Sequence, residues 1–228
     1  MGANLPGLML LPGAVLFDMD GTLIDTEPLW LQAEQQIMER LGGEWTEADQ
    51  AACLGGPLEH AVDYMIDRAG GGHDRDAVMT QLLDIMEGLL RISPLVWQPG
   101  ARALLMDAHA HGIPTALVSA SWNRLIDAVS SRIESDIGGP AFDIVVAGDD
   151  VQRSKPHPEP YLTAAAAIGV SPGECLVLED SPTGVASGVA AGCRVVAIPH
   201  LAAVDVPGVR VLESLVGHTA ASLWSAAR

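Results

Sequence analysis

The sequence predicts an α/β protein, with a doubly wound parallel sheet and an inserted unit of four helices. Short apolar segments alternate with helical patterns from Pro99 onward, an order typical of parallel strands joined by helices. Between Thr26 and Ser93 the patterns are helical and no strand pattern occurs. That segment therefore predicts a separate helical insert. A chain of 228 residues is long enough for a large domain with such an insertion.

The composition limits the classes of function. Apolar residues make up 49% of the chain, which favours a sizeable core over disorder. The formal net charge of −17 disfavours nucleic acid as a partner, because its phosphates are bound by lysine and arginine. Cys53, Cys175 and Cys193 form no C-x-x-C motif and predict free, buried thiols in a reducing compartment.

The N-terminal segment from Met1 to Pro12 is apolar but carries no basic residue. It runs directly into the first predicted strand, so its cleavage would remove part of the fold. We expect no signal peptide and no membrane-spanning segment. The protein is expected to be a cytoplasmic monomer.

Two aspartates follow the first predicted strand, residues 15–17. Asp18 and Asp20 are separated by one residue, and Gly21 comes next; glycine lets a chain turn sharply. The two carboxylates are therefore expected at the carboxyl end of a buried strand, where ligands bind in open α/β sheets. Neighbouring carboxylates repel unless a cation or a shared proton relieves them. We interpret this segment as a magnesium-dependent phosphoryl-transfer site.

The insert is predicted to contain four helices. Pro28 suits the first turn of the first helix, and Thr46 with Asp49 forms a capping-box pattern at the start of the second. A break is predicted at Leu54-Gly55-Gly56-Pro57. The expected helices cover residues 29–41, 46–53, 58–69 and 74–92. We place the core domain at residues 1–26 and 95–228, and the insert at residues 27–94.

The rest of the core is predicted as strands alternating with helices. Strands are expected at residues 115–118, 144–147, 175–178, 195–198 and 209–212. Helices are expected at residues 101–110, 124–133, 159–168, 184–191 and 219–226.

Polar residues follow four of the predicted strands. They are Asp18 and Asp20, Ser119 and Ser121, Asp149 and Asp150, and Glu179 and Asp180. The carboxyl ends of parallel strands lie on one edge of a sheet, so these residues are expected to meet there. Such residues are often helix caps, and we favour that role over ligand binding for Ser121. For Asp149 and Asp150 we favour a structural role or support of the site residues. Lys155, the one lysine in the sequence, indicates a functional site at this edge.

These segments resemble a known family. The segment from Asp18 to Leu23 (DMDGTL), Ser119, Lys155-Pro156, and the segment from Glu179 to Gly184 (EDSPTG) are similar, in order, to the four motifs of the haloacid-dehalogenase-like (HAD) hydrolase superfamily. The Lys155 segment resembles the branch that contains β-phosphoglucomutase and small sugar-phosphate phosphatases. The resemblance implies a Rossmann-like core, and the insert is similar to the four-helix C1 cap of that branch.

Phosphoryl transfer assigns a role to each aspartate of the first motif. Asp18 is the expected nucleophile, which attacks phosphorus to give an aspartyl-phosphate, and the resemblance implies the same role. Asp20 is the expected general acid for the leaving alkoxide and then the base for water, a function worth ~10²–10⁴ in rate.

Magnesium is the expected cofactor, because it binds carboxylates together with substrate phosphate. Asp18, the carbonyl of Asp20 and Asp180 are the expected ligands, with Glu179 acting through water. Ser119, the Ala120 N–H and Lys155 are expected to hold the phosphoryl oxygens. The candidate phosphate- and substrate-binding residues are Met19, Gly21, Thr22, Glu27, Ser119, Ala120 and Lys155.

The expected function is hydrolysis of a small phosphate monoester, with a sugar phosphate as the expected metabolite. The segment from Glu27 to Trp30 resembles the cap entry of hexose-phosphate phosphatases. Phosphomutase activity is the alternative, disfavoured because the cap has no lysine and the arginine expected after Gly55-Gly56 is missing. The missing cap lysine also disfavours phosphonatases, which use such a lysine to form a Schiff base. Dehalogenases of the superfamily lack the second aspartate that this chain has as Asp20, so dehalogenation is disfavoured too.

A non-catalytic phosphoacceptor or binding module is a more remote alternative. Receiver domains also combine acids, a hydroxyl residue and a lysine on a doubly wound sheet. Their acceptor aspartate follows an internal strand, however, and they contain no helical insert of this kind.

Overall fold

The computed structural model describes residues 10–53 and 58–227. The break predicted at Leu54-Gly55-Gly56-Pro57, and residues 1–9 of the apolar N-terminal segment, lie outside the described residues. Within the described part, no helix is both long and apolar enough to cross a membrane.

The strands form a six-stranded parallel sheet in the order β3-β2-β1-β4-β5-β6. They are β1 (Ala14–Phe17), β2 (Thr115–Val118), β3 (Ile144–Val146), β4 (Cys175–Glu179), β5 (Arg194–Ala197) and β6 (Arg210–Val211). The central strand β1 lies between β2 and β4. The chain order therefore reverses at β1, and a crevice at the carboxyl ends of the strands is expected beside such a reversal. The predicted doubly wound sheet is confirmed.

Helices connect the strands and form the insert. They are α1 (Glu27–Leu41), α2 (Glu47–Cys53), α3 (Leu58–Arg68), α4 (Arg75–Ile92), α5 (Ala101–Ala110), α6 (Asn123–Ile137), α7 (Glu159–Ile168), α8 (Pro182–Ala190) and α9 (Ala220–Ala226). Helices α1 to α4 lie between β1 and α5 in the chain, as the patterns predict.

The end of α6 and the start of α8 differ from the sequence prediction for clear physical reasons. Helix α6 continues to Ile137 because its stop signal is Gly138, which has φ 79° and so favours glycine. Helix α8 begins at Pro182, because Ser181 accepts a hydrogen bond from the Gly184 N–H and acts as the N-cap. The capping box predicted for α2 is present: Thr46 N donates to Asp49 Oδ2 at 3.0 Å, and Asp49 N donates to Thr46 Oγ1 at 3.3 Å.

The two faces of the sheet are buried in two apolar clusters. Val15 and Phe17 of β1 belong to one cluster, with residues of α5, α6 and α9. Ala14 and Leu16 belong to the other, with residues of α7 and α8. This alternation follows from the two-residue repeat of a strand. The first cluster also continues into the insert, so the insert and the sheet share buried surface.

An ion-pair group also joins the insert to the core. Arg124 of α6 binds Asp84 of α4 at 2.7 Å and Glu87 of α4 at 2.5 Å. Because Arg124 is the second residue of α6, this contact links the start of α6 to the insert.

Candidate active site

The buried ion pair between Lys155 and Asp18 lies at the centre of the site. Phe17 of β1 pairs with Leu178 of β4, so Asp18, which follows β1, and Glu179, the last residue of β4, lie at the same level on adjacent strands. Lys155 Nζ donates to Asp18 Oδ1 at 2.7 Å, to Glu179 Oε1 at 2.6 Å and to the Val118 carbonyl at 2.8 Å. The Lys155 side chain is only 5% exposed. The one lysine of the chain therefore joins the ends of three neighbouring strands.

Tyr161 completes the support for this lysine. Its hydroxyl donates to Glu179 Oε1 at 2.7 Å, and its ring centroid lies 5.1 Å from Lys155 Nζ. Burial disfavours the charged form of Lys155, but attraction to Asp18 and Glu179 outweighs this cost and raises the pKa of the ammonium above its usual value. The lysine is thus held charged beside Asp18.

A tight turn carries the first motif away from β1. Gly21 has φ 83°, a conformation that favours glycine. A Cβ at this position would also lie 2.3 Å from Asp180 Oδ2. Met19 is buried in the core, with 1% of its surface exposed, which leaves only its backbone for the predicted binding role. Thr22 Oγ1 donates to Asp180 Oδ1 at 3.4 Å.

The Asp20 carboxylate is held by hydroxyl groups from two directions. Thr26, which precedes α1, donates to Asp20 Oδ1 at 2.6 Å. Ser121 donates to Asp20 Oδ2 at 2.9 Å, and Ser119 reaches the same oxygen at 3.3 Å. Because both oxygens accept hydrogen bonds, the orientation of this carboxylate is fixed.

The helix-cap role expected for Ser121 is wrong. Helix α6 begins at Asn123, with Trp122 at its N-cap position and no side-chain cap bond from that residue. The first N–H of the helix instead donates to Asp149 Oδ1 at 2.8 Å. Ser121 is therefore free to bind Asp20. The structural role expected for Asp149 is confirmed, as is that of Asp150, which accepts from the Ala147 N–H at 2.8 Å.

Three carboxylates form an acidic triad: Asp18, Glu179 and Asp180 each offer an oxygen within 4.8 Å of the others. Asp18 Oδ2 is buried and has no hydrogen-bond partner among the described residues. Burial and the charge of Glu179 raise the pKa of Asp18 to about 7, against the opposing effect of Lys155. Burial, with Asp18 and Glu179, raises the pKa of Asp180 to about 9.

The residues of the triad fit a hard divalent cation. The donors are all oxygens, which Mg²⁺ prefers, and a buried oxygen without a partner is costly unless a ligand satisfies it. Glu179 is fully buried and already accepts from Lys155 and Tyr161. Asp18 and Asp180 are therefore the side chains best suited to direct binding. The Asp20 side chain lies outside the triad.

The site opens into a cavity of about 210 Å³, the reaction cavity. Asp18, Asp20, Lys155 and Asp180 line it, as do Glu27, Ser119 and Ala120. Met19, Gly21 and Thr22, which belong to the turn after β1, and the fully buried Glu179 do not line the cavity. The other candidate residues named from the sequence meet there. Sequence reasoning placed Ser121 at this edge but favoured a helix-cap role for it, and it missed Thr26 and Tyr161 as parts of the site.

The family model for haloacid dehalogenase-like hydrolases matches residues 15–198. The chain belongs to this family. Hexitol phosphatase B of Escherichia coli (strain K12) is 33% identical over 189 residues, which cover 82% of this chain and 83% of that protein. Hexitol phosphatase A of the same strain is 35% identical over 213 residues, with 88% and 90% covered.

Solved structures of this family share the fold. The crystal structure of CbbY from Rhodobacter sphaeroides in complex with phosphate has a TM-score of 0.81 at 25% identity and covers 93% of this chain and 99% of that one. A mutant of the same protein in complex with xylulose-(1,5)bisphosphate has a TM-score of 0.78 at 25% identity, with the same coverage. Family membership and the phosphatase relatives identify this haloacid dehalogenase-like hydrolase as a phosphoric monoester hydrolase, as its motifs predict.

Proposed function

We propose that this hydrolase is a magnesium-dependent phosphatase that hydrolyses a small sugar phosphate through an aspartyl-phosphate on Asp18. The observation that carries the proposal is the contact between Lys155 and Asp18 at the reaction cavity, 2.7 Å from Nζ to Oδ1. A carboxylate is a weak nucleophile unless its surroundings activate and orient it. Lys155 favours the ionised form of Asp18, and the second Asp18 oxygen has no hydrogen-bond partner among the described residues.

In the first step the Asp18 carboxylate attacks phosphorus. A bond forms between an Asp18 oxygen and phosphorus, the bond to the alcohol oxygen breaks, and Asp20 supplies a proton to that oxygen. Ser119, the Ala120 N–H and Lys155 bind the phosphoryl oxygens, on which charge develops. When bound, Mg²⁺ would offset the repulsion between the acidic triad and the negatively charged phosphate. The proposed ligands are Asp18, the Asp20 carbonyl and Asp180, with Glu179 acting through water.

In the second step Asp20 takes a proton from water. The water oxygen bonds to phosphorus, the bond to Asp18 breaks, and inorganic phosphate leaves. Both steps require Asp20 in one position, and the hydrogen bonds from Thr26 and Ser121 supply that constraint. General acid–base catalysis of this kind is worth ~10²–10⁴ in rate.

Helices α1 to α4 act, in this proposal, as a cap domain of residues 27–94 over a core of residues 1–26 and 95–228. Opening of the cap admits the substrate, and closure excludes bulk water. The hexitol phosphatase relatives support a sugar phosphate as the metabolite. The proposal includes a monomeric, cytoplasmic enzyme.

Phosphate release from a panel of sugar phosphates and nucleotides, with Mg²⁺ and with EDTA, tests the proposal. Wild type and Asp18→Asn are compared, and a parallel assay follows conversion of β-glucose 1-phosphate to glucose 6-phosphate. We expect metal-dependent release from sugar phosphates by wild type and none by Asp18→Asn. Conversion without net release would indicate a mutase. The absence of both phosphate release and conversion would indicate a binding module.

A further inference from the structure

A second cavity, of about 150 Å³, adjoins the reaction cavity. We call it the distal cavity. The two cavities share Asp20, Glu27 and Ala120, so a molecule whose phosphate lies at Asp18 can extend into the distal cavity. The leaving group of a phosphate ester is the part that would lie there.

Helix α1 supplies the wall along which the distal cavity extends. Glu27, Trp30 and Glu34 all line it, and their spacing of three and seven residues places them on one face of the helix. Glu27 and Glu34 are about 10 Å apart along the helix axis at 1.5 Å per residue. The cavity therefore offers acceptor groups near the reacting phosphate and again about two turns farther away.

Glu34 is an unusual residue for a purely structural wall. It is 6% exposed, and no cation forms an ion pair with it among the described residues. Its Oε2 accepts from Trp45 Nε1 at 2.8 Å, whereas Oε1 has no protein donor in the described part of the chain. Burial of a carboxylate without a cation is costly. A hydroxyl group of a ligand would satisfy the remaining oxygen.

Gln50 of α2 holds Glu27, the acceptor nearer to the reacting phosphate, in position. Its Nε2 donates to the Glu27 carbonyl at 3.1 Å and to Glu27 Oε2 at 3.3 Å. No basic residue lines the cavity among the described residues. Trp30 and Trp122 add apolar ring surface for carbon-bound hydrogens. The distal cavity is thus suited to hydroxyl groups and unsuited to a second anion.

We propose that the distal cavity binds the uncharged, hydroxyl-bearing end of the leaving alcohol, that Glu34 accepts a hydrogen bond from a hydroxyl group far from the phosphate, and that Glu27 and Glu34 reject a second phosphate. The inference deepens the proposed function and rests on it. The substrate class is then a polyol or sugar monophosphate several carbons long, and sugar bisphosphates are excluded.

The test compares kcat/KM for three compounds: glycerol 3-phosphate, a hexitol 6-phosphate and xylulose 1,5-bisphosphate. Glu34→Gln keeps the acceptor for Trp45 but removes the charge, and Glu34→Ala removes both. Glu39→Gln is the matched control, because Glu39 is an exposed acid on the same helix. Loss of one hydrogen bond to a charged group costs about tenfold in kcat/KM.

We expect Glu34→Ala to lower kcat/KM about tenfold for the hexitol phosphate and to leave glycerol 3-phosphate within about twofold of wild type. Glu34→Gln should raise the ratio of bisphosphate to hexitol phosphate turnover about fivefold or more. Glu39→Gln should match wild type. An equal loss for all three compounds, or unchanged ratios, would overturn the inference.

Binding to Asp18→Asn, followed by tryptophan fluorescence, separates this inference from the proposed function. With or without turnover by wild type, the inference requires Asp18→Asn to bind hexitol phosphate more tightly than the bisphosphate. When Glu34→Gln is added to that variant, the inference requires the difference in affinity between the hexitol phosphate and the bisphosphate to become smaller. If wild type releases no phosphate but these affinities behave as stated, the proposed hydrolysis is wrong and the specificity of the cavity stands. Equal affinities would refute the cavity's role.

Discussion

The Tyr161 hydroxyl donates a 2.7 Å hydrogen bond to the same Glu179 oxygen that accepts from Lys155. Tyr161 is fully buried, so water cannot replace this bond. The tyrosine therefore fixes the carboxylate that in turn fixes the lysine beside Asp18. Tyr161 acts as a positioning residue, because it does not reach the reacting atoms itself.

Substitution of Tyr161 by Phe removes this hydroxyl and little else. We expect kcat to fall about tenfold or more with KM nearly unchanged, since a hydrogen bond to a charged carboxylate is worth about 1.5–3 kcal/mol. Steady-state kinetics with a sugar phosphate measures this split. Tyr64→Phe is the control, because the Tyr64 hydroxyl binds Asp49 at 3.1 Å within the insert; it should affect stability alone. Equal kinetic effects of the two substitutions would refute the positioning role.

Gly21→Ala tests the turn that brings the first motif against Asp180. The new Cβ would lie 2.3 Å from Asp180 Oδ2, and the alanine backbone would have to adopt a positive φ. Gly42→Ala is matched in φ, at 82°, but its Cβ would contact nothing within 4 Å. Both variants should lose about 1 kcal/mol or more of folding free energy from backbone strain. Only Gly21→Ala should also lose most of its metal-dependent activity. Denaturant unfolding and phosphate release, compared for the pair, check this.

Thr26→Val removes the 2.6 Å hydrogen bond to Asp20 Oδ1 while it keeps the shape of the side chain. We expect kcat to fall about tenfold, because the bond is to a charged group. Thr80→Val provides the control: Thr80 is exposed and binds the carbonyl of Asp76. A kcat for Thr26→Val equal to that of wild type would count against a role for Thr26 at Asp20.

Glu34 should make the folding free energy depend on pH. Burial raises its pKa to about 7, against the opposing effect of the hydrogen bond from Trp45. A carboxyl group with a raised pKa in the folded protein keeps its proton to a higher pH there than in the unfolded chain. The free energy of unfolding therefore falls as the pH rises from about 4.5 to above 7. Glu34→Gln removes this effect and keeps an acceptor for Trp45.

Relative to wild type, Glu34→Gln should therefore gain on the order of 2 kcal/mol of stability between pH 5 and pH 8. Urea unfolding of both proteins at the two pH values measures the difference. Glu39→Gln should show no such gain. A difference between Glu34→Gln and wild type that is the same at both pH values would contradict the account.

The main features of the site could be predicted because they depend on sheet topology. Asp18 follows one buried strand and Glu179 ends another, and parallel strands bring their carboxyl ends to one edge. The single lysine, Lys155, could be assigned for a related reason: buried acids at that edge need a cation. These features require only the order of strands and the positions of the charges.

Other features depend on pairings that no local pattern records. Ser121 has the sequence context of a helix cap, but Asp149, which follows another strand, occupies that role. Thr26 reaches Asp20 only because the chain turns back between Gly21 and α1. Tyr161 has the sequence context of an ordinary helix residue, and only the packing of α7 brings its hydroxyl group to Glu179. In each case the partner is fixed by tertiary packing.

The most direct test of the central claim is mass spectrometry of the Asp20→Asn variant after reaction with p-nitrophenyl phosphate and Mg²⁺. This substrate has a good leaving group, so Asp18 can be phosphorylated without the acid, whereas attack by water still needs Asp20 as the base. We predict about one phosphate per chain, on the peptide that contains Asp18, together with a matching burst of p-nitrophenol. Absence of phosphate from Asp18, in a preparation whose wild-type counterpart turns over, would contradict nucleophilic catalysis by this residue.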